Sequence, residues 1–445
     1  GSGDVVSTPK ALNFTDLRSI INNAPTDLTL VLNNDFINDD GSVIVINKNL
    51  TIDGNGHTID LNQHAGFKSS RGNVYLKNLI MKNGNFVFAG AIFISSNASY
   101  IIDNCTFVNN SADFGAAINS LSRNSLFIRN SIFDSNSVSK SAGAVYSYGN
   151  IFLENSLFLS NKAMKSGGAI YTHKEANIDK CTFRDNSASN EGGAVFAENV
   201  TMKKSPSYFI NNSADAAGGA IYANKFNTDV YYASFINNHA GNGYFNYDGG
   251  AVYIFKRNYV TFENCIFIAN SCTDEGGAIY LDSKDSHLSL KNNIFMGNSA
   301  GYEGQSSYNC GYYDVIENNF WGFDNPSSDN DQVIEWKATI LQKNVHHSDS
   351  NPLIIAFDLD KNNVSVNETI TASLYFNNSD GSKFLGKIYG LDDVYFNINE
   401  NLKEITKNMD DNSITIEYQP QMAAKYIIFP HLHDHALAQQ RVKVD

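Results

Sequence analysis

The chain has 445 residues, a formal net charge of −14 at pH 7 and a sequence pI of about 5.1. That balance disfavours nucleic acid and anionic membrane as partners. No apolar run is long enough to insert in a bilayer, and five scattered cysteines give neither a disulfide framework nor a Cys-x-x-Cys metal spacing.

In chain order, Gly1-Ser2-Gly3 looks like the remnant of an expression tag. "NFTDLRSIINNAP", residues 13–25, predicts a short helix capped by Thr15, with Phe14, Leu17, Ile20 and Ile21 on one apolar face. It reads as a plug for the open end of a stack of strands. "LTIDGNGHTIDL", residues 50–61, reads as an early rung of that stack. "YLKNLIMKNGN", residues 75–85, reads as the next, with Ile80 and Asn83 in the places that Phe107 and Asn110 take one period later.

Two phrases then recur with a period of mostly 25–27 residues. One is Gly-Gly-Ala-[Ile/Val] or a near copy, with alanines at 91, 117, 144, 169, 194, 220, 251 and 278. The other is Phe-x-x-Asn, from Phe107 and Asn110 through Phe133, Phe158, Phe183, Phe209, Phe235 and Phe267 to Phe295 and Asn298. Apolar residues do not recur at helical spacing, whereas short runs such as "NIDKCTF" alternate as strands do. Three short strands and three turns fit one rung. The expected fold is an all-β, right-handed parallel β-helix of about 10–12 rungs, stacked about 4.8 Å apart. Equal positions then form columns: phenylalanines ring upon ring inside, and asparagines as an amide ladder in a turn, where an αL backbone suits Asn. The glycines relieve Cβ crowding at the next corner.

"HAGNGYFNYDGG", residues 239–250, lengthens one rung and carries Tyr244, Phe245 and Tyr247 on an expected protruding loop. "ENNFWGFDNP", residues 317–326, breaks the repeat, and Phe320 and Trp321 are placed to seal the last rung. Residues 327–350 read as a polar strap. From residue 351 to 445, runs such as "LIIAFDLD", "ETITASLYF" and "KYIIF" predict six or seven strands, the spacing of a small Ig-like β-sandwich. The expected division is therefore residues 4–350 and 351–445.

On these phrases the chain resembles polymorphic outer-membrane-type and adhesin-like surface proteins. With "IDGNGHTID" and "NNFWG…NP" it is most similar to the adhesin-like proteins of methanogenic archaea. The resemblance implies a right-handed β-helix followed by bacterial-Ig-like domains, secretion and display on the cell surface. It also implies binding to a glycan or protein of another cell. The matching letters are stacking residues, so no catalytic residue carries over, and neither an enzyme nor a cofactor is expected. A monomer is expected.

β-Helices also include polysaccharide lyases and glycoside hydrolases, which need paired carboxylates or acidic calcium ligands beside a base. The best acidic column is Glu191, Asp248 and Glu275, with Lys256 and Arg257 near in sequence; a solvated polar turn is the plainer reading. A passive envelope spacer is a third reading. Gly56-His57 reads as a turn. His431, His433 and His435 lie at strand period, where imidazoles can hold zinc, although a surface edge is favoured. Cys105, Cys181 and Cys265 share a small buried column with Ser131, Ser156, Ser207 and Ala233, while a Cys272–Cys310 pair stays open.

The most informative column follows the Ile/Val. It holds Phe93, Tyr146, Tyr171, Phe196, Tyr222, Tyr253 and Tyr280, with Asn119 as the exception. If Ile/Val points inward, these rings point outward, as a stripe whose ring faces suit sugars and peptide side chains. A ladder that only shields the sheet is the alternative.

Overall fold

The computed structural model describes residues 3–245, 247–322, 333–337, 343–346, 348–387, 394–398, 401–405, 413–432, 435–436 and 440–445. Its larger part is a parallel β-solenoid. A full rung repeats the same four short strands, where three were expected, and each strand pairs in parallel with its equivalent one rung away.

The eight Phe-x-x-Asn strands and the three equivalent strands before them form an 11-stranded sheet, from Phe36–Ile37 to Ile294–Met296. Two-residue strands after each Asn, such as Ser187–Ala188, form an 8-stranded sheet. The strands that open on Ile/Val after Gly-Gly-Ala, and the strands that follow them, share a 20-stranded sheet; in mid-stack both merge into single strands, Ile170–Asp179 and Val195–Met202. From Val230 the last column continues as a separate 4-stranded sheet ending at Tyr312–Glu317.

The predicted columns are present. Phe107, Phe133, Phe158, Phe183, Phe209, Phe235, Phe267 and Phe295 are buried, with successive ring centroids 4.8–5.1 Å apart and planes within 11°. The asparagine ladder is buried too. The Asn161 Nδ2 donates to the Asn186 Oδ1 at 3.0 Å and to the Phe133 carbonyl at 2.9 Å, and the Asn161 backbone N–H donates to the same Oδ1 at 3.0 Å. The pattern repeats from Asn110 to Asn298.

Several details differ from the sequence reading. The αL residue is not the ladder Asn but the one before it: Asn109, Ser135, Ser160, Asp185, Asn211, Asn237, Ala269 and Gly297 all have positive φ. A second αL column precedes the Cys/Ser column, at Asn78, Asn104, Asn130, Asn155 and Lys180. There the asparagines form an outer ladder, with Asn104 Nδ2 donating to Asn78 Oδ1 at 2.8 Å and Asn155 to Asn130 at 2.8 Å. One register is off by a residue. Met81, not Ile80, pairs with Phe107, and Gly84, not Asn83, meets Asn110 through its N–H at 2.8 Å. Both neighbours in "LIMK" are apolar, so alternation alone did not choose between them.

The double glycine has two separate reasons. Gly192 has φ +68, and a Cβ on Gly193 would sit 2.0 Å from the Gly219 carbonyl oxygen of the next rung. The first glycine turns the chain, and the second lets rungs close on each other.

The N-terminal helix spans Phe14–Asn23 and buries Phe14, Leu17 and Ile21 over the first rungs. Its cap is Asn13, in a capping box with Asp16; Thr15 lies inside the helix and donates to Asp40 at 2.7 Å. Asn is as good a cap as Thr, and the reciprocal Asp16 decides the choice. At the other end Trp321, not Phe320, continues the aromatic pile, 4.6 Å from Phe295 and within 4° of parallel. The described parts of the expected strap add a strand pair: Val333–Lys337 runs parallel to Ser307–Asn309, and Lys343–His346 pairs back antiparallel.

Beyond residue 350 lie a 3-stranded antiparallel sheet (Leu353–Leu359, Ile370–Asn378, Ser413–Tyr418) and a mostly antiparallel 6-stranded one from Asn363–Val364 to Asn401–Ile405. Their inner residues, including Leu374, Phe396 and Ile428, share one apolar cluster with Ile266, Ile268, Ile294 and Met296 of the solenoid. Those four flank Phe267 and Phe295 and point out of the solenoid, yet are at most 3 % exposed, because the C-terminal sheets cover them. Phe376 meets Phe320 edge-on at 5.4 Å, and the Lys387 N–H donates to the Asn264 Oδ1 at 3.0 Å.

Candidate functional site

Strand alternation places the aromatic column outside. Ile170 and Thr172 are buried, and Tyr171 between them is half-buried; the same holds around Phe196, Tyr222 and Tyr253. Tyr146, Tyr171, Phe196, Tyr222, Tyr253, Tyr280 and Tyr308 form one stack, with centroids 4.5–5.6 Å apart and planes within 25°. Tyr308 was missed because its phrase, "QSSY", has lost the Gly-Gly-Ala. Phe93 stands apart, tilted on Phe88 at 5.7 Å, and Asn119 occupies the break, its amide bonded to the Phe88 carbonyl.

The stacking corrects the expected mode of contact. Every interior ring has both faces covered by its neighbours. The stripe therefore presents ring edges, not ring faces, and does so only in its middle, at Tyr171, Phe196, Tyr222 and Tyr253; Tyr146, Tyr280 and Tyr308 are buried. Burial pushes these phenols up, Tyr222 to about 12. At the lower end Tyr146 bonds the His173 Nε2 at 2.7 Å, and Tyr148 stacks on the same imidazole at 4.4 Å.

Carboxyls line the corner beside the stripe. Glu191 accepts from Ser166 at 2.6 Å, and Asp248 accepts from the Glu275 N–H at 3.0 Å. Burial drives Asp248 up to about 7; burial and then Asp248, Asp274 and Glu303 drive Glu275 up to about 8. The two basic residues near in sequence turn elsewhere. Lys256 pairs with Glu198 at 2.9 Å, and Arg257 donates to the Tyr259 hydroxyl at 2.5 Å. The lyase-like grouping of acids with a base is not assembled at this corner.

The inserted loop protrudes as expected, with Tyr244 88 % and Phe245 66 % exposed. It is tied to the next rung through Thr273, which receives the Tyr247 N–H at 3.0 Å and donates to the Phe245 carbonyl at 3.1 Å.

Other candidates resolve plainly. The chain reverses between Leu432 and His435, which pair across a hairpin, so His431 and His435 do not share a strand; His433 lies outside the described residues. His431 is taken by the Asn397 amide at 2.8 Å. Among the described residues no group of three or more His, Cys, Asp or Glu is placed to hold a metal. All five cysteines are free thiols: Cys272 bonds the Glu275 carbonyl and Cys310 the Tyr280 hydroxyl, so the pair left open does not form. The Cys/Ser column is buried, with Ser131 and Ser207 hydroxyls accepting the N–H of Cys105 and Cys181 at 3.1 Å.

A second outer face was not anticipated. On the strands after the stripe, Tyr75, Ile101, Phe127 and Phe152 follow one another in register, with Ile101 40 % and Phe127 45 % exposed. A charged column runs beside them: Lys77, Asp103, Arg129, Glu154 and Asp179. A cleft of about 320 Å³ opens here. Its apolar column mixes Tyr, Ile and Phe, so no repeated letter marked it.

A family model described as the Chlamydia polymorphic membrane protein (Chlamydia_PMP) repeat matches residues 155–173, 180–198, 206–224 and 264–282. Each matched segment runs from the Phe strand through the asparagine corner and the glycines into the stripe. The repeat is thus similar in the residues that stack. No curated protein and no solved structure matches the chain. No described helix is long and apolar enough to cross a membrane.

Proposed function

We propose that the protein is a surface-displayed, adhesin-like recognition module whose solenoid binds a glycan or protein of another cell. The observation that carries this reading is the part-exposed middle of the outer stack, Tyr171, Phe196, Tyr222 and Tyr253, which offers ring edges at the spacing of the rungs beside a carboxyl-lined corner. Likeness to the polymorphic membrane protein repeat supports surface display. Each contact along such a row is weak, and simultaneous engagement of several raises avidity. Tyr244 and Phe245 of the inserted loop add a protruding contact. Residues 351–445 serve in this reading as an Ig-like spacer, and the whole fits the plan of the methanogen adhesin-like proteins.

The test is adhesion of protein-coated beads to a panel of cells and glycans. Replacing the part-exposed Tyr171, Tyr222 and Tyr253 together by alanine is expected to lower retention at least about tenfold while the far-ultraviolet spectrum stays that of folded β-structure. Undiminished retention would move the binding site off the stripe. Absence of saturable binding to every cell and glycan would favour a passive spacer.

A further inference from the structure

The inserted loop is held on the next rung by one tripeptide, Thr273-Asp274-Glu275. Thr273 makes the two bonds to Phe245 and Tyr247 given above. The Asp274 N–H donates to the Tyr247 carbonyl at 3.0 Å, and the Glu275 N–H donates to the Asp248 carboxyl at 3.0 Å. Among the described residues no other hydrogen bond joins Asn242–Phe245 or Tyr247 to the solenoid.

The same tripeptide gathers charge. Asp248, Glu275 and Glu303 take the same place on three successive rungs, where their carbonyls accept the Gly218, Gly249 and Gly276 N–H at 3.2, 3.1 and 3.0 Å. Rungs lie about 4.8 Å apart, so Asp248, at the end of the loop, stands one rung from Glu275, with Asp274 beside it. Besides burial, the groups that act to raise these two carboxyls are carboxyls themselves: Asp274 and Asp282 on Asp248, and Asp248, Asp274 and Glu303 on Glu275. No lysine or arginine acts on either. Cys272, Cys310, Tyr253, Tyr280 and Tyr308 also face this corner, and burial keeps all five protonated through neutral pH. His239 is engaged by Ser271 at 2.8 Å, and Lys256 by Glu198.

Protonated, the two carboxyls carry no charge and the corner closes around them. Ionised together, they set like charges one rung apart in a half-buried place without a counter-ion. The side of the corner that can yield is the loop, because the rungs on either side are fixed by the phenylalanine pile and the asparagine ladder. We propose that the inserted loop is a pH-dependent arm, docked on Thr273-Asp274-Glu275 in acidic solution and released in mildly alkaline solution as Asp248 and Glu275 ionise together. Both carboxyls hold their protons above the ordinary range, to about 7 and about 8, so docking is strongest below about pH 4 and is lost as pH rises through about 7–8. Release lets Tyr244 and Phe245 reach further from the rod. That this regulates contact rests on the adhesion reading; the release itself does not.

The test is amide hydrogen exchange of the intact protein at pH 5 and pH 8.5, corrected for intrinsic rate. Protection of the Tyr247 and Asp274 amides is expected to fall at least about tenfold more than that of Asn161 and Asn186 in the distant ladder. In Asp248→Asn with Glu275→Gln this excess fall is expected to shrink below about threefold, because the side-chain amides do not titrate. Thr273→Val, which removes two loop bonds at a part-exposed position, is expected to lower Tyr247 protection several-fold at pH 5 as well. Equal falls at loop and ladder would mean general destabilisation and overturn the proposal. So would an excess fall that persists in the double variant, or unchanged Tyr247 protection in Thr273→Val. No cell or glycan enters the measurement, so a failed adhesion assay leaves the arm standing, and a fixed arm leaves the stripe standing.

Discussion

A single ladder asparagine is bound on every side. Asn186 gives its amide to Asn212 and to the Phe158 carbonyl, and its Oδ1 takes both the N–H and the amide of Asn161. All are buried, so Asn186→Ala leaves donors on Asn161 and an acceptor on Phe158 without partners or water. Unmet buried groups cost more than a net hydrogen bond, and a loss of about 3 kcal/mol is expected, read as a lower denaturation midpoint. Asn186→Asp, which keeps the shape but removes the donor and adds a charge, is expected to be no better. Such positions were legible in the sequence because the column works only if each rung supplies the same amide. The αL positions were not, because any residue that tolerates positive φ serves: Asn, Ser, Asp, Lys and Ala all occupy them. The cleft around Phe152 was hidden for a related reason. An outer face needs only suitable surface, and Tyr75, Ile101 and Phe127 provide it with three different letters.

At the scale of one corner, the turn before the stripe concentrates carboxyls that the fold half-buries. Asp248 and Glu275 rise to about 7 and about 8 from ordinary unfolded values near 4. Both hold a proton more tightly folded than unfolded. Their contribution to stability is therefore complete below about pH 4 and is lost as pH rises through about 7–8. The thermal midpoint is expected to fall between pH 5 and pH 8.5. In Asp248→Asn with Glu275→Gln that fall is expected to shrink, since amides do not titrate; an unchanged pH slope in the double variant would assign the effect elsewhere. Asp40 and Asp103, whose hydrogen bonds and cations hold them low, act in the opposite sense only in more acidic solution. The corner carboxyls were visible as a sequence column, but their burial was not. Covering depends on the inserted loop and the neighbouring rung, which alternation does not describe.

Across the whole molecule, the solenoid and the C-terminal sheets share an apolar seam. The phrases "CIFIAN" and "NIFMGN" set Ile266, Ile268, Ile294 and Met296 on an outer face, and this excess of apolar letters on both sides of Phe267 and Phe295 was the available signal. A charge at Ile268, as Ile268→Asp, places an unpaired carboxylate in that seam. Amide exchange in Leu353–Leu359 is expected to quicken about 100-fold, a loss of about 3 kcal/mol, with the Phe158–Phe183 strands unaffected. Equal quickening in both regions would mean that the seam is not a separable contact.

The 32-residue step from Asn238 to Asn270 has a further consequence. Phe235 and Phe267 still meet at 5.1 Å, so the added residues, nearly all of them at the corner after Asn238, are accommodated without shifting the pile. The architecture behaves like a measuring rod with fixed graduations and free ornament. Foreign segments grafted at that corner should be carried at a constant height along the rod, and copying whole graduations should lengthen its reach in steps of about 4.8 Å.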